Sequence, residues 1–323
     1  MKAARILLIV LVLLSSVGFA GGAASSPPEA PIDVLGLTAA ADASGRTWAV
    51  WAADDGRDSE LFYSRWDGDS WASARAVHAS PDTWESGPSL AIAPDGTAWL
   101  AWTSASREDS DVYLSRWLGS RWSEPQVLDR GSALAADEPA LAAAPDGTFW
   151  LAWVGEATPD NDEVYVAFWD GRAWAPSQHV SGPDLRDGLY DRQPCLAVGP
   201  DGRPWLAWAG HQDGPDDEIY ASHWTGSAWT AEQMVSRDDD ALDAAPSLVV
   251  DGQGRPWLAW KARVAEGNVS RLRILVSSWD AGQGWSEEAL ASSPLEADLD
   301  EYDPLLSLDA EGRPELAWLA IAD

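Results

Sequence analysis

The sequence predicts an all-β fold, a β-propeller with six blades of four antiparallel strands and an incomplete last blade. Three observations lead to this prediction: a repeat of about 50 residues, tight turns at fixed places in the repeat, and tryptophans in a fixed register. Because the last repeat is incomplete, five or seven blades remain alternatives.

One phrase marks the repeat. It reads APDGTAWLAW at 93–102, APDGTFWLAW at 144–153 and GPDGRPWLAW at 199–208. The turn glycines of successive units are Gly45, Gly96, Gly147, Gly202, Gly254 and Gly312. A proline precedes each of the last five glycines by eight residues: Pro88, Pro139, Pro194, Pro246 and Pro304. Recurrence at a nearly constant period is typical of repeat folds.

Each unit contains four predicted strands. In the second unit they are SLAIA (89–93), TAWLAW (97–102), DVYLSRW (111–117) and RWSEPQVL (121–128). The PDG and LGS segments between them favour tight turns, because Asp and Gly tolerate the backbone angles that such turns require. No segment shows a helical period. Four antiparallel strands per unit are typical of a propeller blade.

Twenty of the 22 tryptophans occupy two positions of the repeat, the second strand and the borders of the third turn. Residues three apart in a strand point to opposite faces. Trp99 and Trp102 are therefore predicted to face the two adjacent blades, with Ala101 leaving room between them. This packing role is favoured over an aromatic surface for sugar binding. Trp84 lies outside the register.

The N-terminus predicts secretion. Lys2 and Arg5 precede an apolar run at 6–14 and a small-residue segment, which predicts a signal peptide over 1–24. An uncleaved anchor is the alternative. Residues 25–35 form a lead-in segment and a candidate ring-closing strand, and 36–323 form the propeller domain. The mature chain is predicted to be secreted or extracytoplasmic, with no membrane insertion after cleavage.

Composition excludes several classes of function. The net charge of −31 disfavours binding to nucleic acid. Cys195 is the only cysteine, so no disulfide can form within the chain, and a small buried role is predicted for it. Nucleophile-elbow, phosphate-loop and zinc-protease motifs do not occur. We expect a monomer.

The loops after the second and fourth strands of each unit are acidic, and strand parity places both sets on one face. Carboxylates suit Ca²⁺, and the candidate metal ligands are Asp109, Asp111, Asp160 and Asp162. The alternative is a solvated charged surface without metal. No other cofactor is predicted.

One unit breaks this acidic pattern. Lys261, Arg263, Arg271 and Arg273 stand where other units are acidic, which indicates either a ligand site or a patch of salt bridges between blades. Aromatic residues outside the repeat register occur in loops of the same face. The ligand-binding candidates are Trp84, Tyr190, Arg192, Arg263, Arg271, Arg273 and Tyr302.

The third turn reads SRWDGDSW at 64–71 and SHWTGSAW at 222–229. It resembles the Asp-box, or BNR repeat, of sialidase-like propellers, Ser-x-Asp-x-Gly-x-Thr-Trp. Ser64, Gly68 and Trp71 match the pattern, while Trp66 stands where the family has Asp, so the boxes are degenerate. The resemblance covers 36–320 and implies a sialidase-like propeller.

The resemblance does not extend to catalysis. The Phe/Tyr-Arg-Ile-Pro segment of sialidases is absent, and no catalytic residue is carried over. The sequence therefore favours a non-catalytic binding or scaffold propeller, whose unknown ligand is a carbohydrate or a protein. A carbohydrate-active hydrolase of sialidase-like fold is the alternative.

Overall fold

The computed structural model describes residues 33–42, 44–54, 58–78, 83–106, 109–128, 135–158, 161–181, 190–211, 216–239, 241–267, 269–291 and 299–322. All regular elements in these ranges are β-strands, 23 in number, and none is a helix. The prediction of an all-β protein is confirmed.

The strands follow the predicted repeat. The first group is β1 (Asp33–Ala41), β2 (Thr47–Asp54), β3 (Ser59–Trp66) and β4 (Arg75–Ala76). The second is β5 (Trp84–Ile92), β6 (Ala98–Ala105), β7 (Ser110–Arg116) and β8 (Gln126–Val127). The third is β9 (Ala136–Ala143), β10 (Phe149–Thr158), β11 (Asn161–Trp169) and β12 (Gln178–His179).

The remaining strands continue the same order. The fourth group is β13 (Asp191–Val198), β14 (Pro204–Gly210), β15 (Glu218–His223) and β16 (Gln233–Met234). The fifth is β17 (Asp243–Val250), β18 (Pro256–Glu266), β19 (Val269–Asp280), β20 (Gly284–Trp285) and β21 (Ala289–Leu290). The last group is β22 (Leu299–Leu308) and β23 (Pro314–Ala322).

Within the complete groups each strand pairs antiparallel with the next, and the fourth strand is only two residues long. A single parallel bridge between Ser59 and Trp84 joins the first two groups into one sheet. The described residues form two compact units, one of residues up to 155 with 167–177, the other of 156–166 with residues from 178 onward. Ring closure and a count of six blades remain predictions.

The lead-in segment is described only at its end. β1 begins at Asp33, and Asp33 and Val34 pair with Asp54 and Ala53 of β2. Residues 33–35 thus belong to the first strand of the first group. The ring-closing role proposed for 25–35 stays a prediction, and the predicted signal peptide lies outside the described residues. In the described ranges no helix is long and apolar enough to cross a membrane.

In every group after the first, the first strand carries a bulge at its proline. In β5 the pairing register with β6 shifts between Ser86 and Ser89. The residue before the proline adopts positive φ in five groups: Gly87, Glu138, Gln193, Ala245 and Asp303. Proline cannot donate a ladder hydrogen bond and is tolerated at bulges. The repeated proline therefore fixes the position at which each first strand bends.

The turn that contains the repeat glycine closes the first hairpin of each repeat, and its sequence is PDG in three of them. In the second unit the Ala93 and Gly96 backbones form the turn, with the Gly96 N–H donating to the Ala93 carbonyl at 2.9 Å. The Asp95 carboxylate accepts from the Thr97 N–H at 2.8 Å. Gly96 has φ of 83°, a region that glycine enters without steric cost.

The paired tryptophans pack as the sequence predicts. Trp99 is 4 % exposed, and its ring lies 5.1 Å from that of Trp169 and 5.5 Å from that of Trp174, in the following strand group. Trp102 is fully buried and lies 5.0 Å from His78, in the preceding group. The two side chains therefore contact different neighbours, and the prediction that they face opposite sides is confirmed.

The third turn repeats a serine contact. The Ser64 hydroxyl donates to the Ala72 carbonyl at 2.6 Å, and Ser222 makes the same contact with Thr230 at 2.8 Å. The Asp67 carboxylate accepts from the Ser70 N–H at 2.9 Å and caps the turn. These contacts explain why the turn sequence recurs, while its identification as an Asp-box stays a prediction.

Candidate functional site

Repeat geometry brings the start of a first strand beside the start of a third strand. In the first compact unit Trp84, which opens β5, bridges to Ser59, which opens β3. In the second compact unit Tyr190, directly before β13, makes the equivalent parallel bridge to Asp162 in β11. An aspartate thus takes the position that a serine holds in the first compact unit. Departures of this kind from a repeat place functional groups on a rigid scaffold.

We define the Tyr190 cluster as Asp162, Tyr190, Arg192, His211 and Asp217, all in the second compact unit. The Arg192 Nε lies 3.6 Å from Asp217 Oδ2, and its guanidinium carbon lies 5.8 Å from the centre of the Tyr190 ring. His211 Nδ1 lies 3.7 Å from Asp217 Oδ1. Tyr190 is 37 % exposed, so solvent reaches its ring.

The two carboxyl groups of the cluster have different surroundings. Burial, followed by the negative charge of Glu156, raises the pKa of Asp162 above its usual value, although Arg192 opposes the shift. Asp217 instead has Arg192 and His211 beside its two oxygens. A cationic partner favours the ionised form of a carboxyl group, and burial favours the neutral form. The cluster therefore combines a carboxyl group whose pKa is raised with a second carboxyl group that has an arginine and a histidine beside it.

Several residues next to the cluster in sequence are polar and buried. Glu163 accepts hydrogen bonds from Asn161 at 2.9 Å and from the Ser181 hydroxyl at 2.7 Å. The Trp208 indole N–H donates to Asp191 at 3.2 Å. Burial is the main cause that raises the pKa of Asp191 to about 8. Burial thus favours the neutral, protonated form of Asp191.

A similar arrangement recurs one group further along the chain. The Ser236 hydroxyl donates to Glu218 and accepts from the Ile219 N–H at 2.8 Å. Burial, followed by the charge of Glu218, raises the pKa of Asp243 to about 8. Burial and the nearby charge of Glu218 therefore both favour the neutral form of Asp243.

The backbone N–H near the start of the third strand, which donates to a serine hydroxyl in the third and fourth groups, has a different acceptor in other groups. The Leu61 N–H donates directly to the Glu85 carboxylate at 3.2 Å, and the Ile274 N–H donates to Glu301 at 2.9 Å. The aspartates are one methylene shorter, and in their groups a serine hydroxyl accepts this bond instead, as Ser181 does for Val164 at 2.8 Å. The acidic residues three before the prolines are therefore structural in origin.

The cationic residues do not join the Tyr190 cluster by any contact described in the structure. Arg273 is buried, and its guanidinium donates to the backbone carbonyls of Leu272 and Leu299. This internal bonding argues against ligand binding by Arg273. Arg263 and Arg271 lie on the hairpin of β18 and β19, and a ligand role for them stays a prediction.

The remaining aromatic candidates are partly accessible. Trp84 is 43 % exposed at the start of β5, in the first unit. Lys261 Nζ lies 5.9 Å from the centre of the Tyr302 ring. No contact of the described residues indicates a ligand for Trp84 or Tyr302, and their ligand roles stay predictions.

The predicted metal ligands are only partly described, because Asp160 lies outside the described residues. Asp109 accepts a hydrogen bond from the Ser110 N–H, and Asp111 is the second residue of β7. In the described part of the chain no three His, Cys, Asp or Glu side chains form a group that could hold a metal ion. The Ca²⁺ site stays a prediction.

Sequence reasoning missed His211, Asp217 and the buried acids. The sequence contains a signal for four of the buried acids, because Glu85, Asp191, Asp243 and Glu301 each stand three residues before a repeat proline. The sequence signal for Asp217 is weaker, since it consists only of the repeat position that Asp217 shares with Asp162 and Ser59. Cys195, predicted to be a small buried residue, is partly buried, and desolvation raises the pKa of its thiol to about 12.

Comparison with known proteins identifies the fold. No protein-family profile and no curated relative matches the sequence. Among solved structures, a protein of unknown function from Dyadobacter fermentans matches with a TM-score of 0.66 and 13 % identity, over 90 % of this chain and 91 % of the other. The chain is therefore similar in fold to a protein with which it shares little sequence identity.

Two further matches are carbohydrate-active. The α-L-arabinanase of Penicillium chrysogenum, solved with arabinobiose, has a TM-score of 0.61 and 15 % identity over 91 % of this chain and 96 % of its own. The NanB sialidase of Streptococcus pneumoniae has a TM-score of 0.61 and 9 % identity, over 93 % of this chain and 67 % of its own. These likenesses support a sialidase-like propeller fold.

Proposed function

We propose that this chain is a carbohydrate-active hydrolase whose substrate binds at the Tyr190 cluster. The observation that carries the proposal is the pairing of Asp162, whose pKa is raised, with Asp217, which has Arg192 and His211 beside it. Similar folds that hydrolyse glycosides favour this alternative over a purely non-catalytic propeller. Fold alone does not decide function, so the argument rests on the cluster.

Glycoside hydrolysis commonly needs two carboxyl groups with unequal proton affinity. Asp162 is the proposed general acid, which donates its proton to the glycosidic oxygen as the bond from that oxygen to the anomeric carbon breaks. Asp217 is the proposed carboxylate on the other side of the bond. It either takes a proton from the attacking water or bonds to the anomeric carbon before water releases the sugar.

The other members of the cluster would hold the sugar. The exposed face of the Tyr190 ring offers an apolar surface, and ligand sites combine such rings with a few placed polar groups. Arg192 contacts both this ring and Asp217, so it fixes their relative position.

Replacing Asp162 by asparagine is expected to lower kcat by about 10²- to 10⁴-fold, the usual contribution of a general acid. The measurement is release of reducing sugar from a panel of arabinan, xylan, galactan and sialylated oligosaccharides. Glu311→Gln is the matched control, because it removes an exposed carboxylate paired only with Arg313. The proposal fails if Asp162→Asn and Glu311→Gln have equal activity on a substrate that the wild type cleaves.

A binding propeller without catalysis is the second candidate, and the exposed rings of Trp84 and Tyr190 favour it. It predicts that glycans from the same panel bind but are not cleaved. Secretion and a monomeric state belong to both proposals and rest on the N-terminal sequence and the strongly acidic surface.

A further inference from the structure

The Tyr190 cluster sits in a negative environment. Two acidic residues, Glu156 and Glu163, act on Asp162, against a single arginine, Arg192. This arginine already has Asp217 beside its Nε at 3.6 Å. The two carboxyl groups of the cluster, together with the neighbouring Glu156 and Glu163, therefore outnumber its single arginine.

The direction of the pKa shift of Asp162 agrees with this excess of acidic groups. Its pKa is raised even though Arg192 lies near enough to lower it, because burial and neighbouring acids outweigh the arginine. A carboxylate or sulfate group of a ligand at this place would meet the same repulsion and desolvation. An uncharged hydroxyl group meets neither, and it can donate a hydrogen bond to each carboxylate.

The polar groups and the ring suit a sugar of this kind. His211 and Arg192 supply donors, the carboxyl groups supply acceptors, and the exposed Tyr190 ring supplies an apolar face. Sugars without acidic groups present hydroxyl groups at their edges and C–H groups on their faces. This arrangement matches the chemistry of the cluster.

We propose that the Tyr190 cluster takes an uncharged glycan, whose sugars carry hydroxyl groups but neither carboxylate nor sulfate. The proposal deepens the proposed hydrolase function and rests on the same site. It adds the substrate class, which the fold does not supply.

Equilibrium binding tests the proposal independently of hydrolysis. Immobilised neutral arabino-, xylo- and galacto-oligosaccharides are compared with uronate-containing counterparts of equal length, at about 20 mM and about 500 mM salt. We expect a neutral glycan to bind with an affinity that changes less than about twofold between the two salt concentrations, since no charge is screened. Its uronate counterpart should bind at least about tenfold more weakly at low salt and gain affinity as salt screens the repulsion.

Variants locate the effect. Tyr190→Ala should abolish binding of the neutral glycan, and Glu156→Gln should strengthen only the uronate counterpart. Glu311→Gln should change neither. Binding of the neutral glycan without cleavage supports the substrate class and removes the hydrolase function.

Three results would overturn the proposal. The first is tighter binding of the uronate glycan at low salt that is lost in Arg192→Gln. The second is neutral-glycan binding that survives Tyr190→Ala. The third is a lack of binding to every glycan of the panel, which together with absent hydrolysis would also remove the proposed function.

Discussion

Trp99→Ala is expected to lower the free energy of unfolding by roughly 3–5 kcal/mol, the usual loss for a large buried aromatic side chain. The Trp99 ring is 4 % exposed and packs against Phe149, Trp169 and Trp174. Alanine would leave a cavity lined by three aromatic rings on a different strand group. The change therefore weakens packing within a strand group and between neighbours. Urea or thermal unfolding measures the effect.

The matched control is Trp84→Ala. Trp84 is 43 % exposed at a strand start and lies outside the tryptophan register, so its loss should cost about 1 kcal/mol or less, as is usual for changes near the surface. Equal losses of stability in the two variants would contradict the packing argument for the repeated tryptophans.

The second large effect concerns pH. We expect the melting temperature to be highest in mild acid and to fall as the pH rises toward about 8. The cause is the pair of aspartates Asp191 and Asp243, whose pKa values are raised from 3.8 to about 8 in the folded protein. Between these values the folded state binds protons that the unfolded state has released, so stability decreases with pH.

The sign follows from the two states. The contribution of a carboxyl group with a raised pKa is fully present below the unfolded value of 3.8 and is lost as the pH passes the folded value of about 8. The turn aspartates act in the opposite direction, because hydrogen bonds to their carboxylates lower their pKa values. They are Asp42, Asp67, Asp95, Asp170, Asp251 and Asp309. Their contribution is lost in strong acid, which leaves the optimum in mild acid.

Asp243→Asn isolates this effect. Asparagine keeps the shape of the side chain and cannot ionise, so the decrease in melting temperature between about pH 5 and about pH 8 should become smaller. Asp67→Asn, in an exposed turn, should leave that decrease unchanged. A wild-type melting temperature that is constant over this range, or an equal response of both variants, would refute the assignment of the pH dependence to the raised pKa of Asp243.

Much of the fold could be predicted because each repeat specifies its own structure. The turn around Gly96, the bulge at Pro88 and the opposed rings of Trp99 and Trp102 depend on residues within about twenty positions of one another. Local sequence therefore identifies the strands. Ring closure depends on contacts between distant residues, and the sequence pattern has no comparable signal for it.

The candidate site was only partly predictable. Tyr190 and Arg192 stood out because the repeat did not explain Tyr190, and Asp162 stood out as an acid in a loop. Asp217 comes to lie beside Arg192 and His211 only when the strands of the fourth group pair, and Asp162 is brought in from the third group by its bridge to Tyr190. The sequence also does not predict the burial of Arg273, because the guanidinium bonds to backbone carbonyl groups, which every residue type carries.

The central claim, that function lies at the Tyr190 cluster, is tested most directly by a crystal structure of Asp162→Asn with a bound oligosaccharide. This variant should bind substrate without cleaving it. The account predicts a sugar ring stacked on Tyr190, with its glycosidic oxygen within hydrogen-bond distance of residue 162 and Asp217 close to the anomeric carbon. An oligosaccharide bound at the third turns, or beside Lys261 and Arg263 with the Tyr190 ring uncovered, would contradict it.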